Sequence, residues 1–273
     1  MMKSFQSGWL LSVFLCCLLQ PDSYTQTISV PVQPLGGTYA FKSLLYQEMY
    51  YPASLRDKRH DQEVGISFVV DTAGQIKNVH FEGSPPPAYQ YEALRLLNMA
   101  EWQPANIEGI KTSHSHFVLI PFSYNKYVRQ VKRRGYDAPP YPFQPSDSSG
   151  LVYESLQLQT RPQARFHDGS GSIREYLTRN LRYPEEAIKR DIQGTVILRF
   201  IVEPSGRSTN IHAVQTVGAG CDEESIRLVE SIHWIPGIRL DNYVRSWVEM
   251  SITFRLPSDS YKYHPTNHSG NIH

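Results

Sequence analysis

The sequence predicts an α+β protein of two tandem two-layer domains, each a three-stranded antiparallel sheet with helices on one face. Three observations lead there. Shifting the chain by 132 residues lays it on itself, without a gap, from Gly37 to about Gly109. Tyr51-Pro52 then meets Tyr183-Pro184, and Asn78-Val79-His80 meets Asn210-Ile211-His212. Glu92-x-x-Arg95 meets Glu224-x-x-Arg227, and Trp102-x-Pro104 meets Trp234-x-Pro236. Second, Val64, Ile66, Phe68 and Val70 alternate with period two, as do Val196, Leu198, Phe200 and Val202, the signature of a strand with one buried face. Third, stretches with helical spacing, interrupted by Pro, lie between the strand patterns. Solenoid repeats run roughly 20–50 residues, so a period this long calls for small domains, each with its own core.

Copy two reads most clearly. Ile173, Tyr176, Leu177 and Leu181 have helical spacing, and Pro184 opens a short helix from Glu185 to Arg190. A strand runs from Thr195 to Glu203. The turn Pro204-Ser205-Gly206, matched by Thr72-Ala73-Gly74, leads into a second strand through Ile211 and Val214. Asp222 to Ile232 is a helix with acidic residues in its first turn, where the helix dipole favours them. Ile226, Val229 and Ile232 form its apolar stripe, and Trp234 is an anchor at the core or its rim. The last strand, Val244 to Leu256, places Val248, Met250, Ile252 and Phe254 on one face. Glu249, Ser251, Thr253 and Arg255 lie on the other, so that face is wet.

In copy one the last strand contains Pro121, which cannot donate to a ladder and so predicts a sheet edge. Its outer parity, Phe117 and Leu119, is apolar where copy two has Glu249 and Ser251. That face calls for a cover, either the linker, the other copy or an external partner.

The chain has 273 residues and a net charge of +1, so no global field points to nucleic acid. Lys126, Arg129, Lys132, Arg133 and Arg134 cluster between the copies and read as a solvated linker. At the N-terminus, Lys3 precedes an 11-residue apolar run from Trp9 to Leu19, broken by Pro21 and followed by small residues before Gln26. A spanning helix needs about 20 apolar residues, so the reading is a secretory signal peptide over 1–25, with an uncleaved anchor as the alternative. Cys16 and Cys17 leave with it. Cys221 is then alone and cannot form an internal disulfide; beside Asp222, Glu223 and Glu224 it is read as a quiet thiol.

Copy two carries an ordered series: Asn180-Leu181-Arg182-Tyr183-Pro184-Glu185-Glu186-Ala187, Gly194-Thr195-Val196, Phe200-Ile201-Val202 and Gly206. Asp222-Glu223-Glu224, Trp234-Ile235-Pro236-Gly237 and Phe254-Arg255-Leu256 complete it. This series resembles the C-terminal domain of the TonB energy-transducer family. Copy one is more diverged, with Gln62-Glu63 where Gly194 stands and Ala105 for Gly237; against the family spacing it carries two extra residues before Pro121.

The resemblance implies binding to an outer-membrane TonB-dependent receptor or another envelope protein, by addition of a partner strand beside the domain's last strand. It places partner contacts at Leu181, Arg182, Tyr183, Val244, Arg245, Val248, Met250, Ile252 and Phe254. In copy one the equivalents are Tyr51, Phe117 and Leu119, within Met49 to Pro52 and Ser113 to Pro121. The expected location is the periplasm, or the inner membrane facing the periplasm if the N-terminus anchors the chain. Anchored, the chain would couple to an ExbB–ExbD-type proton-driven complex. Unanchored, it binds envelope partners or serves as a scaffold, including as a homodimer. The short apolar run and the lack of a long Pro-rich spacer argue against transmitting force across the envelope.

No catalytic, cofactor or metal site is predicted. The polar residues common to both copies, Asn78/Asn210, His80/His212, Glu92/Glu224 and Arg95/Arg227, lack a convergent nucleophile. Glu-x-x-Arg reads as an i,i+3 ion pair worth a few tenths of a kcal/mol. On a strand His114 and His116 share a face, so a metal could bridge them; His264, His268 and His273 lie in a polar tail that supports at most weak metal binding. The expected organisation is a signal peptide over 1–25, domains over 34–125 and 161–257, a linker over 126–160 and a tail over 258–273. Within the linker, Ala138 to Pro142 reads as a polyproline-like spacer and Leu151 to Thr160 as a strand leading into copy two.

Overall fold

A computed structural model describes residues 29–134 and 146–256. The signal-peptide region, Ala138 to Pro142 and the histidine-bearing tail lie outside these residues. Copy one comprises α1 (Gly37–Glu48), a 3₁₀ turn over Ala53–Lys58, β1 (Gln62–Val70), β2 (Ile76–Phe81), α2 (Pro87–Met99) and β3 (His114–Phe122). A helix α3 (Tyr124–Arg134) follows. Copy two comprises α4 (Ile173–Asn180), α5 (Glu185–Lys189), β4 (Gly194–Val202), β5 (Ser208–Gln215), α6 (Cys221–Ser231) and β6 (Asn242–Phe254).

The main sheet of each copy has the same plan. β1 sits between β2 and β3, and β4 between β5 and β6, all antiparallel. The hairpins turn at Gly74 and Gly206, with φ of 83° and 76°, where a side chain would be strained. Gln62 faces Phe122 and Gly194 faces Phe254, the same 132-residue offset. The last strands of the two copies therefore align without an insertion, which corrects the expected two extra residues before Pro121. Each hairpin also has a register shift opposite an asparagine in left-handed conformation, Asn78 at φ 50° and Asn210 at φ 51°. Asparagine tolerates that region, so it suits a bulge.

The alternating residues fill two cores. Val64, Ile66, Phe68 and Val70 pack with Leu44, Leu96, Leu97 and Trp102 in copy one. Val196, Leu198, Phe200 and Val202 pack with Tyr176, Leu228, Val229 and Trp234 in copy two. Trp102 lies 4.8 Å from Phe68 and Trp234 lies 5.4 Å from Phe200, so both tryptophans are core anchors. Glu249, Ser251 and Thr253 are exposed on the wet face. Cys221 is fully buried; burial, then Asp222 and Glu223, push its thiol pKa up, and an intermolecular bridge would require unpacking α6.

The linker differs from expectation in two places. The basic cluster is built into α3, whose Tyr124, Tyr127 and Val131 pack on copy one's core. Within Leu151 to Thr160, only Val152–Tyr153 pair as a strand, in parallel with Arg245 and Ser246. Glu154 and Gln157 then close a capping box around a 3₁₀ turn, because each side chain satisfies the other's backbone N–H. The short segment Gly237–Arg239 adds another antiparallel partner to the start of β6.

The copies pack against each other through α1 and β5. Gly36, at φ 78°, makes the approach possible: a Cβ there would stand 2.2 Å from the carbonyl oxygen of Ile211. Among the described residues no helix is long and apolar enough to cross a membrane.

Candidate partner-binding surface

The Tyr-Pro motif and the Glu-x-x-Arg motif form one repeated strut. Tyr51 donates to the His60 carbonyl at 2.5 Å, and Tyr183 donates to the Ile192 carbonyl at 2.7 Å. Glu92 accepts from the Tyr50 N–H at 2.8 Å while Arg95 donates to the Glu48 carbonyl at 2.6 Å. In copy two Glu224 accepts from the Arg182 N–H at 2.7 Å and Arg227 donates to the Asn180 carbonyl at 2.9 Å. Each carboxylate–guanidinium pair, at 2.8 and 2.7 Å, therefore clamps the chain where the first helix ends and caps its orphan carbonyl. Burial pushes the Glu224 carboxyl up, but the hydrogen bonds from Arg227 and the Arg182 backbone outweigh it and hold it below the usual range. The predicted ion pairs exist, and their bonds to the helix ends make them far more than surface pairs.

A second polar cluster joins the copies. Arg245, 6% exposed, pairs with the fully buried Glu203 at 2.9 Å and donates to the Met99 carbonyl at 2.6 Å. Its guanidinium also stands 3.5 Å from Glu101, whose carboxyl pKa is raised, chiefly by burial, with Arg245 opposing. Asn210 donates to the Met99 carbonyl at 3.0 Å and accepts from the Glu101 N–H at 2.8 Å. Ser205 donates to the buried Glu48 at 2.6 Å, and Tyr39 and Ser43 donate to Glu230 at 3.0 and 2.5 Å. Asn210 therefore has a structural role, while its counterpart Asn78 is exposed, as is His80.

Most of the residues expected to meet a partner face inward. Tyr51, Val244, Arg245, Met250, Ile252 and Phe254 are buried, while Leu181, Tyr183 and Val248 are half-buried against copy two's core. Only Arg182, Phe117 and Leu119 of the set are exposed. What the last strands offer is backbone. β6 is covered over its first residues by Gly237–Arg239 and Val152–Tyr153, and among the described residues no strand pairs its outer flank from Trp247 to Phe254. Among the described residues β3 is the edge of copy one's sheet along its whole length, as Pro121 predicts. Phe117 and Leu119, 42% and 52% exposed, are covered neither by the linker nor by the other copy among the described residues.

Beside the β3 edge lies a groove of about 480 Å³ that sequence reasoning did not find. Consecutive residues from His116 to Leu119 line it, both parities together, so it runs along the strand's edge rather than over one face. α1 contributes Phe41, Lys42, Leu45 and Tyr46, and α3 contributes Lys126, Tyr127 and Gln130. The apolar stripe of α3 was the available signal; its placement beside α1 depends on long-range packing.

His116 points to the core side, with its ring 5.7 Å from Phe68 and 5.5 Å from Trp102, and burial, then His114, lowers its pKa. Among the described residues no three His, Cys, Asp or Glu side chains converge as metal ligands.

The family model of the Gram-negative bacterial TonB protein C-terminal domain matches residues 47–125 and 179–256. No curated protein matches the chain. The two matched segments begin near the Tyr-Pro struts, end at the last strands, and together span more than half of the sequence. The chain belongs to the TonB C-terminal domain family, an envelope protein-interaction family, and carries that domain twice.

Proposed function

We propose that this chain is an exported, periplasmic binding protein that recognises an outer-membrane transporter or similar envelope partner by strand addition. The observation that carries this reading is that, among the described residues, no strand pairs the outer flank of the last strand in either copy, β3 throughout and β6 from Trp247. Unpaired N–H and C=O groups in a row are a template for another strand. No catalytic constellation is part of this reading. A membrane-anchored transducer coupled to an ExbB–ExbD-type complex is the variant in which the apolar N-terminal run stays uncleaved.

A second reading has specific support. The linker occupies part of the β6 flank, and Arg245 and Asn210 tie the copies together, so a non-transducing scaffold, including a homodimer, also fits. A photo-crosslinking amino acid placed at Phe117 and, separately, at Glu249 separates the two in envelope preparations. Adducts with an outer-membrane β-barrel protein support recognition. Adducts only with a second copy of the chain would leave the scaffold.

A further inference from the structure

We propose that the groove between α1, β3 and α3 is a binding site for a fatty acid, a single acyl chain that ends in a carboxylate. Such a ligand is held by side chains, so its binding does not depend on strand addition.

The shape of the groove selects a single chain. One face of α1 lines it from Thr38 to Met49, which at about 1.5 Å per residue is a course of about 16 Å. Its volume of about 480 Å³ lies within the usual range of small-molecule sites, about 300–1,000 Å³. Phe41 and Leu45 from α1, Val118 from β3 and Tyr127 from α3 are all buried, so the apolar floor is recessed. A recessed, elongated floor admits one chain and keeps away from the flat surface of a bilayer. Gln130, also buried, adds an amide to the lining. Helix α3 lies almost wholly beyond the family-matched segment, which ends at residue 125, so this wall is an addition to the common domain.

The rim selects the head group. Among the described residues, Lys42 on α1 and Lys126 on α3 are the only full-time charges lining the groove, and both are exposed. Of the neighbouring carboxylates, Asp61 accepts from Ser123 and from the Tyr124 N–H, at 2.8 and 3.0 Å, and Glu63 pairs across the ladder with Pro121. Neither lines the groove. Lysine suits this place because its stem lies along apolar surface while its ammonium stays in water. An ammonium on each of two walls, above an apolar floor, complements an anion at the end of a chain. Exposed Arg129, Lys132 and Arg133 extend the positive field along α3, which draws anions at low salt.

The test uses the full chain and the fluorescence of a dansylated undecanoate, displaced by unlabelled amphiphiles below their micelle concentrations. Octanoate, decanoate and dodecanoate should bind in rising order, by about fourfold for each CH₂ group that the groove buries. Dodecyltrimethylammonium should bind at least tenfold more weakly than dodecanoate. The double variant K42E/K126E changes only exposed side chains and should weaken dodecanoate at least tenfold. It should leave dodecanol unchanged, which reports that the groove is still folded. K77E/K111E alters exposed lysines outside the groove and should change neither ligand. A diazirine-bearing fatty acid should label residues of α1, β3 and α3, and this labelling decides the matter if K42E/K126E loses dodecanol as well. The proposal is overturned by no gain with chain length, by equal affinity for the cationic and anionic amphiphiles, or by labelling away from these elements. An equal response to the two double variants also overturns it. A hexapeptide of Val and Thr that displaces the probe as well as dodecanoate does would overturn it in favour of a peptide. Sedimentation with phosphatidylglycerol vesicles, without uptake of dodecanoate, would overturn it in favour of a membrane surface.

Discussion

The Arg245 guanidinium donates to the Met99 carbonyl at 2.6 Å, a hydrogen bond from the last strand of copy two to the end of α2 in copy one. The same guanidinium neutralises Glu203, which is fully buried. Removing it strands a carboxylate in the interior. Arg245→Met should therefore cost about 3–5 kcal/mol, the usual penalty for breaking a buried pair. Urea denaturation measures it, and Arg245→Met combined with Glu203→Met should cost much less than the two single changes added together.

Asn78 and Asn210 form an internal control. Both are left-handed, so replacing either by alanine incurs the same backbone strain of about 1–2 kcal/mol. Asn210 also makes two hydrogen bonds to copy one. Asn210→Ala should exceed Asn78→Ala by about 1–3 kcal/mol, and the difference reads the interface directly. Equal costs would show that these bonds contribute nothing.

The repeated strut should show its strength against an exposed ion pair. Arg95→Ala removes the bond to Glu92 and uncaps the Glu48 carbonyl, and should cost about 2–3 kcal/mol. Lys189→Ala breaks an exposed pair at 3.7 Å and should change stability by less than about 0.5 kcal/mol. Thermal unfolding of the two variants checks the ranking.

Acid should destabilise copy two through His233. Burial, then Arg207 and His167, lower its pKa from 6.5 to about 4. The folded state thus binds this proton less readily than the unfolded state. Its contribution is intact above pH 6.5 and is lost as pH falls toward 4. His233→Gln should flatten the dependence of the unfolding midpoint on pH across that window, while an unchanged slope would remove His233 as the cause.

Strands and their edges were legible because their physics is local. Alternation in Val196 to Val202 marks a buried face, and Pro121 marks an edge wherever the rest of the chain goes. The strut was half legible: spacing revealed Glu224 and Arg227 as neighbours, but not that they clamp Arg182 and Asn180. The contact between copies was not legible, because Arg245 continues a strand whose parity says nothing about a neighbouring domain. α3 was misread because its charges outnumber the stripe of Tyr124, Tyr127 and Val131. The partner-facing set failed for a related reason. In strand addition the backbone makes the contact, so residues such as Ile252 and Phe254 face the core while their edge faces out.

The most direct test of strand addition is amide hydrogen exchange on the full chain, free and in complex with the outer-membrane protein captured by crosslinking. The account predicts new protection at His114 to Phe122, or at Trp247 to Phe254, with the central strands β1 and β4 unchanged. Protection confined to helix surfaces, with both edges exchanging as in the free chain, would contradict it.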